Sequence, residues 1–109
     1  MTLVLLVAML SAVGGEESFV AARELYASAA YEDALKILDS LPANRTAEDI
    51  KATEQYRALC LLALGRAAEA ETAIAAVIIR DPTYRPRSDV SPRVRTAFTD
   101  VRQIGRAHV

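Results

Sequence analysis

The residues best suited to act as nucleophiles or metal ligands are few in this 109-residue chain, which contains one cysteine and one histidine. A catalytic thiol needs a neighbouring base to activate it. Cys60 stands among leucines, whereas His108 is next to the last residue. We therefore interpret Cys60 as a small buried side chain and exclude a Cys–His pair. One residue of each kind also cannot form a clustered zinc site.

Adjacent carboxylates, which could serve general acid and base catalysis, occur in three pairs. They are Glu16 with Glu17, Glu32 with Asp33, and Glu48 with Asp49. Each pair falls where a helix is predicted to begin, and the helix dipole favours negative charge there. No glycine-rich phosphate-binding loop accompanies them. The sequence thus predicts no catalytic, cofactor-binding or metal-binding residues, and hence no enzyme and no cofactor.

Basic side chains are concentrated in the last third of the chain. Seven arginines stand there against three aspartates: Arg80, Arg85, Arg87, Arg93, Arg95, Arg102 and Arg106 against Asp81, Asp89 and Asp100. A basic stripe is the usual mark of nucleic-acid binding. The formal net charge of the whole chain is only -1, however. A solvated or partner-facing surface is therefore the favoured interpretation, and nucleic-acid binding the less favoured one.

The elements that would carry these residues are predicted to be helices, because apolar positions recur with helical spacing. Residues 56–82 form a hairpin of two helices in which Gly65 adopts a left-handed turn and Pro82 stops the second helix. Further helices are predicted over residues 16–28 and 31–41, the latter ended by Pro42. Thr46 is predicted to cap a helix that runs to about residue 64, and Ser91 to cap a fifth one. The fold class is all-α.

An internal repeat of about 36 residues is visible when the two hairpins are aligned with Ala29 opposite Gly65. The second hairpin carries the pattern Ala58, Leu61, Gly65, Ala70, Ile74, Val77 and Pro82, and the first repeats most of it as Ala22, Leu25, Ala34, Leu38 and Leu41. This pattern resembles the tetratricopeptide repeat, although Glu54 stands where a large aromatic is usual. The resemblance implies two tandem helical hairpins and a C-terminal capping helix over residues 16–103, a fragment of an α-solenoid.

The resemblance also implies a concave surface that binds an extended peptide or a partner helix. Its candidate peptide-binding residues are Phe19, Arg23, Tyr26, Gln55, Leu59 and Leu62. Aromatic side chains offer contact area, and Arg23 could bind a carboxylate bidentately. The structural alternative is that Phe19 and Tyr26 fill the first hairpin while Arg23 is solvated, and that Leu59 and Leu62 pack against the fifth helix.

The N-terminal residues 1–15 have the outline of a secretory signal peptide. An apolar run over residues 3–10 is followed by small residues and then by Glu16. The run is shorter than the roughly 20 apolar residues that a spanning helix requires. Export to the periplasm or the medium is therefore expected, with no stable membrane span in the mature chain. An uncleaved anchor or an internal start remains the alternative, since no basic residue precedes the run.

The C-terminal residues 104–109 match the conceptual translation of a common sequencing adapter. The natural sequence is therefore expected to follow the chain only to about Gln103, so that the protein is a fragment. Two tandem repeats followed by Asp81-Pro82 and Ser91-Pro92 resemble the opening module of envelope tetratricopeptide proteins of Gram-negative bacteria. The expected function is a non-catalytic protein-interaction scaffold of the envelope. The alternative is a structural spacer or oligomerising segment for a missing C-terminal domain.

Overall fold

The computed structural model describes residues 14–42, 45–87 and 90–107. All regular secondary structure within these ranges is helical, which confirms the all-α class. The described residues contain five helices: α1 (Gly14–Ala27), α2 (Tyr31–Asp39), α3 (Ala47–Ala63), α4 (Ala67–Arg80) and α5 (Pro92–Ala107). Most of the predicted signal segment and the last two residues of the predicted adapter-derived tail lie outside the described residues.

The helices group into two compact units, Met1–Ala43 and Asn44–Val109. In the first unit α1 packs against α2. Its buried residues are Ala22 on α1 and Ala34, Leu35 and Leu38 on α2. Two of these, Ala22 and Ala34, are fully buried alanines, whose small side chains allow helix backbones to approach closely.

In the second unit α3 packs against α4, and α4 packs against α5. Its largest fully buried side chains are Leu61, Ile74, Val77 and Cys60. Phe98 of α5 is 2% exposed. A fifth helix is therefore present and packs on the second helix of this hairpin.

Two helix starts follow from local capping chemistry. Thr46 accepts a hydrogen bond from the backbone N–H of Asp49 (3.1 Å), so the predicted cap of α3 is confirmed. Ser91 accepts one from the N–H of Val94 (3.4 Å) at the start of α5. Both bonds satisfy a donor that has no partner within its own helix.

Two predicted helix boundaries need correction. The first helix begins at Gly14 rather than at Glu16. The second ends at Asp39 rather than near Leu41, so Pro42 does not terminate it. The physical reason is Ser40, whose hydroxyl donates to the carbonyl of Ile37 (2.7 Å) and whose N–H bonds to the same carbonyl. These bonds close the last turn of α2 before the proline is reached.

The turns inside the two hairpins share one hydrogen-bond pattern at positions 36 residues apart. In the first turn the Ala29 N–H donates to the Tyr26 carbonyl (3.0 Å), and the Ala30 N–H donates to the Leu25 carbonyl (2.8 Å). In the second turn the Gly65 N–H donates to the Leu62 carbonyl (3.1 Å), and the Arg66 N–H donates to the Leu61 carbonyl (2.9 Å). Such paired bonds satisfy carbonyls at a helix C-terminus.

Both turns require a left-handed residue, and the two hairpins supply different ones. Gly65 has φ 75°, which confirms its predicted conformation, and Ala29 has φ 62°. A left-handed backbone brings Cβ close to the following carbonyl, a strain that glycine avoids. Ala29 is the only non-glycine residue with positive φ in the described part of the chain.

Substitutions at these two positions are expected to change stability in opposite directions. Gly65→Ala should destabilise by about 1 kcal/mol through backbone strain alone, because an added Cβ would meet no atom within 4 Å. Ala29→Gly should relieve the same strain and stabilise. Thermal unfolding followed by circular dichroism measures both, since 1 kcal/mol moves Tm by about 4–8 °C in a domain of this size. Shifts of the same sign would contradict the equivalence of the two turns.

Candidate protein-interaction site

The three candidate residues of the first unit lie on one face of α1. Phe19, Arg23 and Tyr26 are spaced four and three residues apart, which brings their side chains to the same side of a helix. Arg23 is exposed, whereas Phe19 and Tyr26 are half-buried. The structure thus brings these three residues together as an exposed cation flanked by two partly accessible aromatic rings.

Tyr26 is held in place by an aromatic residue of the neighbouring helix. Its ring packs against that of Tyr31 at the start of α2, with centroids 5.7 Å apart and planes inclined by 56°. Tilted aromatic pairs at this separation stabilise a fold by more than the burial of their apolar area accounts for. Tyr26 therefore belongs partly to the packing of the first hairpin, in agreement with the structural alternative, while the ring keeps an accessible part.

The three candidates of the second unit differ from one another in exposure. Gln55 and Leu59 are half-buried on α3, whereas Leu62 is 8% exposed. Leu62 is thus a core residue of the second unit and has little surface that a ligand could touch. Residues 58–62 are all apolar, so the sequence does not show which of them faces inward. Gln55 and Leu59 alone retain surface that a ligand could touch.

A polar cluster in the second unit ties α3 to the segment after α4. Lys51 Nζ lies 3.2 Å from Glu48 Oε2 and 3.3 Å from Asp81 Oδ2. Thr83 donates a hydrogen bond to the other oxygen of Asp81 (3.0 Å). The bonds to Glu48 and Asp81 raise the pKa of Lys51, and those from Thr83 and Lys51 lower the pKa of Asp81. These contacts therefore favour the charged forms of Lys51 and Asp81.

The α4–α5 connection (residues 81–91) is held from its other side by α5. The ring of Tyr84 packs on that of Phe98 with centroids 5.5 Å apart, and the Arg102 guanidinium donates to the Tyr84 carbonyl. Burial raises the pKa of Tyr84. Together with Lys51 and Asp81, these contacts fasten the start of the connection to both α3 and α5.

Two findings concern chemical reactivity. Cys60 is fully buried, and its burial raises the pKa of the thiol to about 11. The thiol is therefore protonated at neutral pH and is not a nucleophile. Across the described ranges, no three His, Cys, Asp or Glu side chains converge as metal ligands.

Four exposed arginines lie in the α4–α5 connection and in the first turn of α5. They are Arg85, Arg87, Arg93 and Arg95, here called the basic segment. Asp81 lies nearby in sequence but is engaged by Lys51 and Thr83. The positive charge of the basic segment is thus little compensated by that carboxylate.

Among the described helices, none combines the length and the apolar character needed to cross a bilayer. Comparisons of the chain with protein-family models, curated proteins and solved structures give no match.

Proposed function

We propose that the protein is a non-catalytic interaction scaffold of the bacterial envelope, built from tetratricopeptide-like hairpins, and that α1 binds an extended peptide with a carboxylate. The observation that supports the repeat most directly is the pair of turns with one hydrogen-bond pattern at a 36-residue offset. The same offset relates the fully buried alanines Ala22 to Ala58 and Ala34 to Ala70. Hairpins that repeat in this way are typical of helical arrays, whose surfaces bind other proteins.

The proposed recognition chemistry belongs to the face of α1 that carries Phe19, Arg23 and Tyr26. The Arg23 guanidinium is planar and can donate two parallel hydrogen bonds to one carboxylate. Partly accessible rings on both sides supply apolar contact for the neighbouring peptide atoms. Since Tyr26 is already fixed against Tyr31, its ordering costs little further entropy when a peptide binds.

Arg23→Glu is expected to weaken binding of the partner peptide by about tenfold or more, because it replaces a carboxylate-binding cation with a repelling anion. Lys36→Glu is the matched control, since it makes the same charge change at an exposed position on α2. Affinity capture from envelope extracts, quantified by mass spectrometry, identifies proteins retained by wild type and by the control but lost with Arg23→Glu. Peptides from those proteins are then titrated against all three chains.

Arg23→Lys separates bidentate recognition from simple attraction of charge. It keeps the charge but removes the planar fork, so an intermediate affinity is expected. If wild type and Arg23→Glu are both folded and retain the same proteins, the α1 site is rejected and the spacer function takes its place. Intact Met1 on a product that stays in the cytosol of a Gram-negative host would reject the envelope assignment.

A further inference from the structure

Charge is distributed unevenly along the chain although its total nearly cancels. Residues 16–43 carry six carboxylates and two basic side chains, whereas residues 81–103 carry five arginines and three aspartates. The formal net charge of the chain is -1. Two copies therefore repel each other only weakly at long range, while the acidic part of one can attract the basic part of another.

The acidic part includes an exposed helix face with an apolar centre. Glu17, Val20 and Glu24 are spaced three and four residues apart on α1, which places them on one side of the helix. Both carboxylates are exposed. Val20 is 44% exposed and is one of the few large apolar side chains on the described surface. This acidic face lies on a different side of α1 from Tyr26, which packs toward α2.

The basic segment offers the opposite charge on a support that is held in place. Arg93 and Arg95 are exposed in the first turns of α5, which is anchored through Val94 and Phe98. The connection before it is fastened by the bond from Arg102 to the Tyr84 carbonyl. The arginine stems can also cover apolar surface such as Val20 while their guanidinium groups meet carboxylates.

We propose that the protein self-associates head to tail, with the basic segment of one copy docked on the acidic α1 face (Glu17, Val20, Glu24) of a second copy. The two surfaces differ from each other, so a junction between two copies uses the acidic face of one and the basic segment of the other. Such a heterologous contact builds a closed ring where its rotation closes and an open chain where it does not. This inference is independent of peptide binding by Phe19, Arg23 and Tyr26.

The test measures the mass of the full chain in solution over a range of protein concentrations. In dilute buffer the weight-average mass should rise with concentration above that of the monomer. In about 1 M salt it should fall toward the monomer, because the Debye length shrinks to about 3 Å. A chain that stays monomeric in dilute buffer at every concentration would overturn the proposal.

Charge reversal identifies the surfaces. Arg93→Glu/Arg95→Glu and Glu17→Arg/Glu24→Arg should each weaken self-association by about tenfold or more. The first cancels the net positive charge of the basic segment, and the second makes both surfaces positive. An equimolar mixture of the two variants should associate again, because every mixed junction brings opposite charges together. Circular dichroism confirms that each variant is folded.

The control variant is Glu32→Arg/Glu71→Arg, which alters two exposed carboxylates elsewhere and leaves both surfaces intact. It should associate like wild type. Association that survives both reversals, or that is lost in one and not regained in the mixture, would reject the pairing of these surfaces. Binding of a DNA fragment that depends on Arg93 and Arg95, by a chain that does not self-associate, would assign the basic segment to nucleic acid instead.

Discussion

Phe98→Ala is expected to lower the free energy of unfolding of the second unit by about 3–5 kcal/mol. The Phe98 side chain is 2% exposed and packs on the Tyr84 ring at a centroid distance of 5.5 Å. Its truncation removes apolar burial and leaves a cavity that the surrounding helices fill only in part. Domains are typically stable by only about 5–15 kcal/mol, so this loss is a large share of the total.

Urea unfolding followed by circular dichroism measures the Phe98→Ala effect, with Thr96→Ala as the control on the same helix. Thr96 is exposed, so its substitution should change the free energy by no more than about 0.5 kcal/mol. Equal results for the two variants would mean that α5 does not cover α4 in solution. If the two units unfold in separate transitions, only the transition of the second unit should shift in Phe98→Ala.

Features governed by neighbours in sequence were predictable. The caps at Thr46 and Ser91 and the left-handed Gly65 depend on side chains within about one helical turn, so the residue types alone indicate them. The end of α2 was not predictable in the same way. Pro42 and Ser40 are both residues that can end a helix. The hydrogen bond from the Ser40 hydroxyl to the Ile37 carbonyl ends α2 before Pro42 is reached.

Contacts between residues distant in sequence could not be inferred. Lys51 and Asp81 are 30 residues apart and meet only because α3 and α4 form a hairpin. The bond from Arg102 reaches a backbone carbonyl, a group that every residue possesses, so the identity of Tyr84 gives no signal for it. These two contacts fasten the α4–α5 connection.

The candidate site was predictable where the helix alternates polar and apolar positions, and not elsewhere. On α1 the charged Arg23 is preceded in sequence by Phe19 and Ala22 and followed by Tyr26. A charged residue among apolar ones indicates which face of the helix is exposed. The α3 stretch around Leu62 is continuously apolar, so the buried side follows only from tertiary packing. The half-buried position of Leu59 and the burial of Leu62 emerged from the structure alone.

Ala70→Phe is expected to destabilise the second unit by about 1–3 kcal/mol, because a ring is forced into a position with no free space. Ala70 is fully buried near the start of α4, and its N–H bonds to the Arg66 carbonyl (3.0 Å). Ala68→Phe is the control, since Ala68 is exposed on the same helix and its substitution introduces the same residue. Thermal unfolding should show a fall in Tm of several degrees for the first and little change for the second.

Ala34→Phe extends this test to the first hairpin. Ala34 is also fully buried, and its N–H bonds to Ala30 at the same 3.0 Å as the corresponding bond of Ala70. If the two hairpins are repeats of one unit, both alanines occupy the same close contact between paired helices, and phenylalanine should destabilise at both. A penalty at Ala70 together with a neutral result at Ala34 would mean that the shared turn geometry does not extend to the helix packing. The tetratricopeptide-like interpretation would then fail for the first hairpin, and with it the assignment of Phe19, Arg23 and Tyr26 to a peptide-binding face.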